Sequence, residues 1–160
     1  MLTTTITWRL VLMKVNQFEQ SILIQTPIET AFAFLVDFQN LKQLQPFVTR
    51  VNTTPTNKKN VVRLEVTERI VMFGFLPVNT TVPSIVHILP EESRIRFETK
   101  AFPKIHIQNE FSLQNDVGQT RVVEKATFIC PSYVERFAFK QFTFAHHKMF
   151  AQLKMQLEER

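Results

Sequence analysis

The chain has 160 residues, of which 44% are hydrophobic and 21% charged; this is the make-up of one globular domain, able to bury roughly 70% of its unfolded surface without staples. No apolar run approaches the roughly 20 residues that span a bilayer, and the formal charge of +5 comes from 19 basic and 14 acidic residues with no basic cluster longer than Lys58-Lys59. Nucleic acid is therefore not an expected partner, whereas transient contact with an anionic membrane surface stays open.

Sixteen Phe stand against one Trp and one Tyr, which makes for a bulky interior poor in built-in hydrogen bonding. A single cysteine, Cys130, cannot form an internal disulfide and fits a reducing compartment, so a cytoplasmic location and a structural role for Cys130 are expected.

Residues 1–14, MLTTTITWRLVLMK, lack the basic start and small-residue cleavage site of a signal peptide. They read as an extension, with Met13 an alternative start, ahead of a single domain over 15–160. Gln17 to Gln25 reads as a strand that stops at Thr26-Pro27. Thr26, Pro27 and Glu29 then form a helix start: a Thr-x-x-Glu capping box with proline at the first helical position. Ile28, Ala31, Phe32, Leu35 and Val36 give that helix one apolar face. A second short helix follows through Asn40, Leu41 and Leu44 to Pro46.

From Pro46 to about Ile129 the pattern alternates. Six strands are expected, at Val48 to Thr54, Val61 to Met72, Val78 to Leu89, Arg94 to Lys100, Lys104 to Leu113 and Thr120 to Ile129, with breaks rich in Pro, Asn, Asp and Gly. Short links favour an antiparallel meander. One break, Met72-Phe73-Gly74-Phe75-Leu76-Pro77, is itself apolar; packing against the body is expected, a gate or membrane-contact edge being the alternative.

The helical period returns from Pro131 to Arg160 with no internal Pro or Gly beyond the first residue. Val134, Ala138, Phe142, Ala145, Met149 and Leu153 form its apolar stripe, flanked by Phe137, Phe139, Phe150 and Leu157, while Arg136, Lys140, Thr143, His147, Lys154 and Glu158 gather opposite. The apolar arc is wider than packing on one flat surface requires. An α+β helix-grip fold is predicted: an antiparallel sheet of seven strands wrapped around the long C-terminal helix, with two short helices after the first strand.

Phe18-Glu19-Gln20-Ser21-Ile22, leading into Thr26-Pro27-Ile28-Glu29-x-x-Phe32-x-Phe34 and on to Asp37-x-x-Asn40-Leu41-x-x-Leu44-x-Pro46, resembles the START-like, or Bet v 1-like, superfamily, especially its polyketide cyclase and ligand-binding SRPBCC branch. The hairpin ending Gly118-Gln119-Thr120-Arg121-Val122 and the strand closing at Pro131 match in order. The resemblance covers about residues 15 to 159. It implies an elongated cavity between sheet and last helix for lipids, sterols or polyketides, with no universal catalytic motif. Ile105, Ile107 and Asn109 stand where that branch often has aromatic and His residues, so no family active site carries over.

Strand parity places three polar groups among inward apolar ones. Glu68 is in phase with Leu64, Val66 and Ile70, Asn109 with Ile107 and Phe111, and Glu124 with Val122, Ala126 and Phe128. A buried carboxyl with few partners has a raised pKa and suits general acid or base work. The alternative is a register-shifting β-bulge, or pairing with Arg63, Arg69, Arg96 or Arg121 at a sheet edge. His146 lies toward the apolar flank of the last helix, within reach of a cavity; its neighbour His147 points about 100° away, so the two do not chelate.

The expected ligand-binding set is thus Leu64, Val66, Glu68, Ile107, Asn109, Phe111, Glu124, Phe128, Ala138, Phe142, Ala145, His146 and Met149, with Glu68, Glu124 and His146 the candidates for chemistry. No metal or cofactor is expected, because metal-ligand spacings, Gly-rich phosphate loops and Gly-x-Ser-x-Gly are absent from the sequence. Non-catalytic binding or transport of a hydrophobic small molecule ranks first. A cyclase, aromatase or dehydratase would show converging polar groups deep in the cavity. A ligand-free protein-interaction module would have a filled core.

Overall fold

A computed structural model describes residues 12–72 and 74–159. The chain runs through β1 (Met13–Ile24), α1 (Ile28–Val36), a 3-10 turn (Phe38–Asn40), α2 (Leu41–Leu44), β2 (Val48–Pro55), β3 (Val61–Met72), β4 (Leu76–Leu89), β5 (Arg94–Ala101), β6 (Ile105–Asp116), β7 (Gln119–Pro131) and α3 (Glu135–Glu158). All seven strands form one sheet in the order β1-β7-β6-β5-β4-β3-β2, each pair antiparallel. The meander of β2 to β7 is closed by β1, which pairs with β7 along its whole length. With α3 in its concave face, this is the helix-grip arrangement.

Local chemistry sets most boundaries. The β6–β7 turn places Val117 at φ 50° and Gly118 at φ 81° between the paired residues Asp116 and Gln119. Two consecutive left-handed residues make the hairpin turn whose twist matches the strands. Proline at 131 closes β7, and α3 begins only at Glu135, later than the helical pattern from Pro131 suggests.

Two expectations fail at the chain's start. β1 begins at Met13, with Met13 opposite Pro131 and Lys14 opposite Cys130, so residues 13 and 14 lie in the sheet although the sequence pattern assigns them to an extension; residues 1–11 lie outside the described part. The capping box does not form. Pro27 occupies the cap position of α1 with no side-chain cap; the Thr26 N–H that Glu29 would have to meet donates instead to Ile24 O at 2.9 Å, and buried Thr26 is fixed further by its carbonyl, which accepts from Thr120 Oγ1 at 2.7 Å. The asparagine at 40 instead closes the other end of α1, donating from Nδ2 to Phe34 O at 2.8 Å.

The β3–β4 hairpin reaches past its neighbours. β4 pairs with β5 only from Ser84 to Leu89, whereas it pairs with β3 from Leu76 to His87. The distal ribbon forms an arm of the sheet opposite the β1–β7 edge. At its tip Phe75 is 78% exposed, so the apolar break is not packed down as expected; Phe73 lies outside the described residues.

Burial divides into two apolar clusters. The larger fills one end, where Ile24, Leu64, Val86, Ile95, Leu153 and Leu157 pack with Phe38, Phe111 and Phe150. The smaller, at the other end, holds Ile105, Ala126, Phe128, Cys130 and Phe142. Burial pushes the Cys130 thiol up, away from the reactive thiolate.

Candidate functional site

Between sheet and α3 lies a cavity of about 690 Å³. Leu64, Val66, Glu68, Ile107, Asn109 and Phe111 reach it from the sheet, together with Phe128. Ala138, Phe142, Ala145, His146 and Met149 reach it from α3. Every residue of the expected ligand-binding set except Glu124 therefore stands in its wall. The short helices add a contribution that strand parity could not reveal, through Phe34, Leu35, Leu41 and Leu44. Gln45 and Gln141 are further polar members of the lining.

Glu124 is fully buried, 0% exposed, directly behind the wall. Three donors converge on it: Gln20 Nε2 at 2.6 Å to Oε2, Asn109 Nδ2 at 2.8 Å to Oε1, and His146 Nδ1, which also meets Oε1. Strand pairing puts Glu124 opposite Gln20 on β1 and Phe111 on β6, two residues from Asn109. One turn of α3 sets His146 over Phe142, with ring centroids 4.1 Å apart. The network continues outward, because Gln20 Nε2 also donates to His146 O at 3.0 Å and Gln20 Oε1 meets exposed His147 Nδ1 at 2.9 Å.

This carboxylate–histidine pair fixes which imidazole nitrogen is free. With Nδ1 held by Glu124, Nε2 has no hydrogen bond among the described residues and belongs to a side chain of the cavity wall. A histidine oriented in this way by a buried carboxyl is chemically equipped to accept or give a proton at Nε2.

Glu68 occupies the distal half of β3. A bulge does interrupt β2 between Val48 and Arg50, opposite Glu68, but β3 keeps unbroken register with β4, so Glu68 stays in phase with the inward residues. No hydrogen bond or ion pair reaches it among the described residues. Desolvation holds its carboxyl above the ordinary value of 4.5, and the charge of His146 pulls partly the other way. The arginines named as alternative partners do not reach either carboxyl. Arg96 pairs with Glu110 and Arg121 with Asp116, while Arg63 and Arg69 make no ion pair to Glu68 or Glu124 among the described residues.

Gln20 is the member of the network that the expected ligand-binding set omits. It shares the parity of Phe18, Ile22 and Ile24, which marks it as inward just as parity marks Asn109. Among the described residues no group of three or more His, Cys, Asp or Glu is arranged to hold a metal ion.

A curved antiparallel sheet around one long helix, hollow between them, defines the helix-grip class of the Bet v 1-like superfamily. The chain belongs to the family described as polyketide cyclase / dehydrase and lipid transport, whose model matches residues 16–158. The fold is shared with the Zhui aromatase/cyclase from Streptomyces sp. R1128, at 12% identity and a TM-score of 0.73 over 92% of this chain and 96% of that one. It is likewise shared with Ara h 8.0201, at 16% identity and a TM-score of 0.67 over 92% of this chain and 100% of that one. The di-domain aromatase/cyclase StfQ from the steffimycin biosynthetic pathway has 15% identity and a TM-score of 0.74 over 91% of this chain; the match spans 51% of that protein. No curated protein sequence matches this chain. At such identities the structural likeness establishes the fold.

Proposed function

We propose that this protein binds a hydrophobic small molecule in the cavity between sheet and α3, as a carrier or receptor for a lipid, sterol or polyketide-like compound. The observation that carries this reading is the 690 Å³ void lined chiefly by apolar side chains. Left dry and empty, such a void would cost about 17 kcal/mol at roughly 24 cal/mol per Å³, as much as or more than the whole stability of a domain. An occupant offsets that cost. A ligand-free interaction module loses its main support, because the core is not filled.

Exposed apolar residues at the cavity's edge, among them Phe102 at 92% exposure and Tyr133, support loading from a membrane surface; Lys104 beside them and the net positive charge favour an anionic one. We place this role in the cytoplasm on the support of one buried, unpaired cysteine. No helix among the described residues is long and apolar enough to cross a membrane.

A second reading is favoured by one observation, the convergence of Asn109, His146 and Glu124 on the cavity wall. These groups support proton transfer on a bound substrate, as in a cyclase or dehydratase, with His146 Nε2 the exchanging atom, Glu124 orienting the ring and Glu68 a second acid on the facing arm. Native mass spectrometry of the gently purified protein, with extraction of any retained molecule, tests the primary reading. A retained apolar compound, lost on Ala145→Phe, is expected; a protein that arrives empty and takes up no lipid or polyketide would sink it. Turnover of a captured polyketide by wild type and not by His146→Gln would move the assignment to the second reading.

A further inference from the structure

The cavity wall differs in sign from the protein that encloses it. The chain carries 19 Lys and Arg against 14 Asp and Glu, yet among the described residues no Lys or Arg lines the cavity, whereas Asp37 and Glu68 do. His146, the one basic side chain of the lining, already meets Glu124 through Nδ1. Asp37 is exposed and accepts from Gln39 N at 3.2 Å, which leaves Glu68 as the enclosed carboxyl open to an occupant. Its cross-strand partner on β4 is Thr80, also in the lining, and side chains paired in this way stand about 5 Å apart at Cβ. Neither the Glu68 carboxyl nor the Thr80 hydroxyl has a hydrogen bond among the described residues. Nor are they sealed off: the unpaired side-chain atoms that protein covers are Asn16 Nδ2 and Asn109 Oδ1, while Glu68 and Thr80 keep partial exposure. Arg63 and Arg69 leave β3 on the opposite face.

We infer that the cavity selects apolar molecules that carry a protonated amine, and that the Glu68 carboxylate and the Thr80 hydroxyl accept its N–H donors. This rests on the proposed ligand-binding role and deepens it. An ammonium group has three donors and a positive charge, so it satisfies carboxylate and hydroxyl together and balances the acid. Without such a partner Glu68 is held desolvated among apolar residues, which penalises its charged form. The same apolar walls strengthen the pair once it forms. A ligand hydroxyl brings one donor and no charge. A ligand carboxylate would enter a wall with no Lys or Arg to balance it and would face Glu68 as a like charge. The formal charge of +5 draws anions to the protein as a whole, so the selection made inside the cavity runs against the general field.

The test uses the full chain and four matched fluorescent probes, pyrenemethylamine, pyrenemethanol, methylpyrene and pyrenecarboxylate, titrated at neutral pH. Pyrenemethylamine is expected to bind about tenfold or more tightly than the alcohol and the hydrocarbon, as a charge-assisted hydrogen bond in an apolar setting allows, with pyrenecarboxylate the weakest. Glu68→Gln keeps the shape of the side chain and should bind the amine no better than the alcohol, with methylpyrene unchanged from the wild type. Thr80→Val should weaken the amine alone, by a smaller factor. Binding of methylpyrene by the wild type with no preference for the amine overturns the inference while leaving the cavity-binding role standing, and this comparison does not depend on a variant folding. An amine preference that survives in folded Glu68→Gln also overturns it. Failure of every probe to bind the wild type removes the ligand-binding role itself and this inference with it.

Discussion

The two inward carboxyls sit on opposite arms of one sheet and are treated in opposite ways. Glu124, in the β1–β7 arm, lies between strands paired on both sides and receives Gln20, Asn109 and His146. Glu68, in the β3–β4 arm, has no such donors and is desolvated against the cavity. The same residue type at the same strand parity is thus a structural anchor on one arm and an unquenched acid on the other. The difference lies in what the neighbouring elements deliver. On the β7 side, the strand from the far end of the chain and one turn of α3 both bring polar side chains to the same point, whereas on the distal half of β3 the paired Thr80 makes no hydrogen bond to Glu68 among the described residues and the rest of that face is chiefly apolar side chains and open cavity.

The sharpest way to break this comparison is to remove each carboxyl in turn. Glu124→Ala leaves buried His146 and Asn109, and half-buried Gln20, without their common acceptor and is expected to cost about 3–5 kcal/mol in urea unfolding. Glu68→Ala should stay within about 1 kcal/mol of the wild type or gain stability, because it removes a desolvated acid that no donor holds. Equal losses at the two sites would mean that the arms do not differ. A smaller effect probes the anchor's outer side. Gln20→Ala removes one donor from Glu124 and is expected to lower stability by about 1–3 kcal/mol, with the carboxyl still held by Asn109 and His146.

Titration sharpens the contrast from the other arm. The folded protein holds the Glu68 proton more tightly than the unfolded chain does. The folded state therefore binds more protons between the two pKa values, and the contribution of this residue to stability falls as pH rises from the ordinary 4.5 upward. Each unit of elevation corresponds to about 1.4 kcal/mol. Glu68→Gln should abolish that slope and be more stable than wild type at neutral pH, which thermal or urea unfolding across pH measures directly. Unchanged slopes in Glu68→Gln would show that the carboxyl is solvated after all.

Much of this organisation is legible in the sequence, and the exceptions have physical reasons. Parity depends on the strict period of two along a strand, so the residue pattern by itself places Glu68, Asn109 and Glu124 on the inner face. What parity cannot supply is depth. It does not distinguish Asn109, in the cavity wall, from Glu124, directly behind it, nor does it show that α3 brings His146 rather than an arginine to the carboxyl. The helical period correctly sets His146 on the apolar flank. The capping box at Thr26 fails because the end of β1 turns so that the Thr26 N–H donates to Ile24 O, and the Thr120 hydroxyl on β7 holds the Thr26 carbonyl, a tertiary setting that the local pattern does not encode. The apolar tip at Phe75 is misread for a related reason: its environment is decided by how far the β3–β4 ribbon reaches beyond β5, which no local pattern encodes.

The smallest expected effect comes from the outer face and gives the inner comparison its scale. There Arg96 clasps Glu110 on the neighbouring strand with bonds of 2.9 and 3.1 Å, as favourable in geometry as the contacts to Glu124. The difference is solvent: Arg96 is 47% exposed and Glu110 30%, so water competes for both partners and salt screens their attraction. Arg96→Ala should therefore cost no more than about 1 kcal/mol, and less as ionic strength rises. If it destabilised the protein as much as Glu124→Ala, hydrogen-bond geometry alone would govern and burial would not be what sets the β7 carboxyl apart. The expected gap between the two variants measures what enclosure adds to otherwise similar contacts.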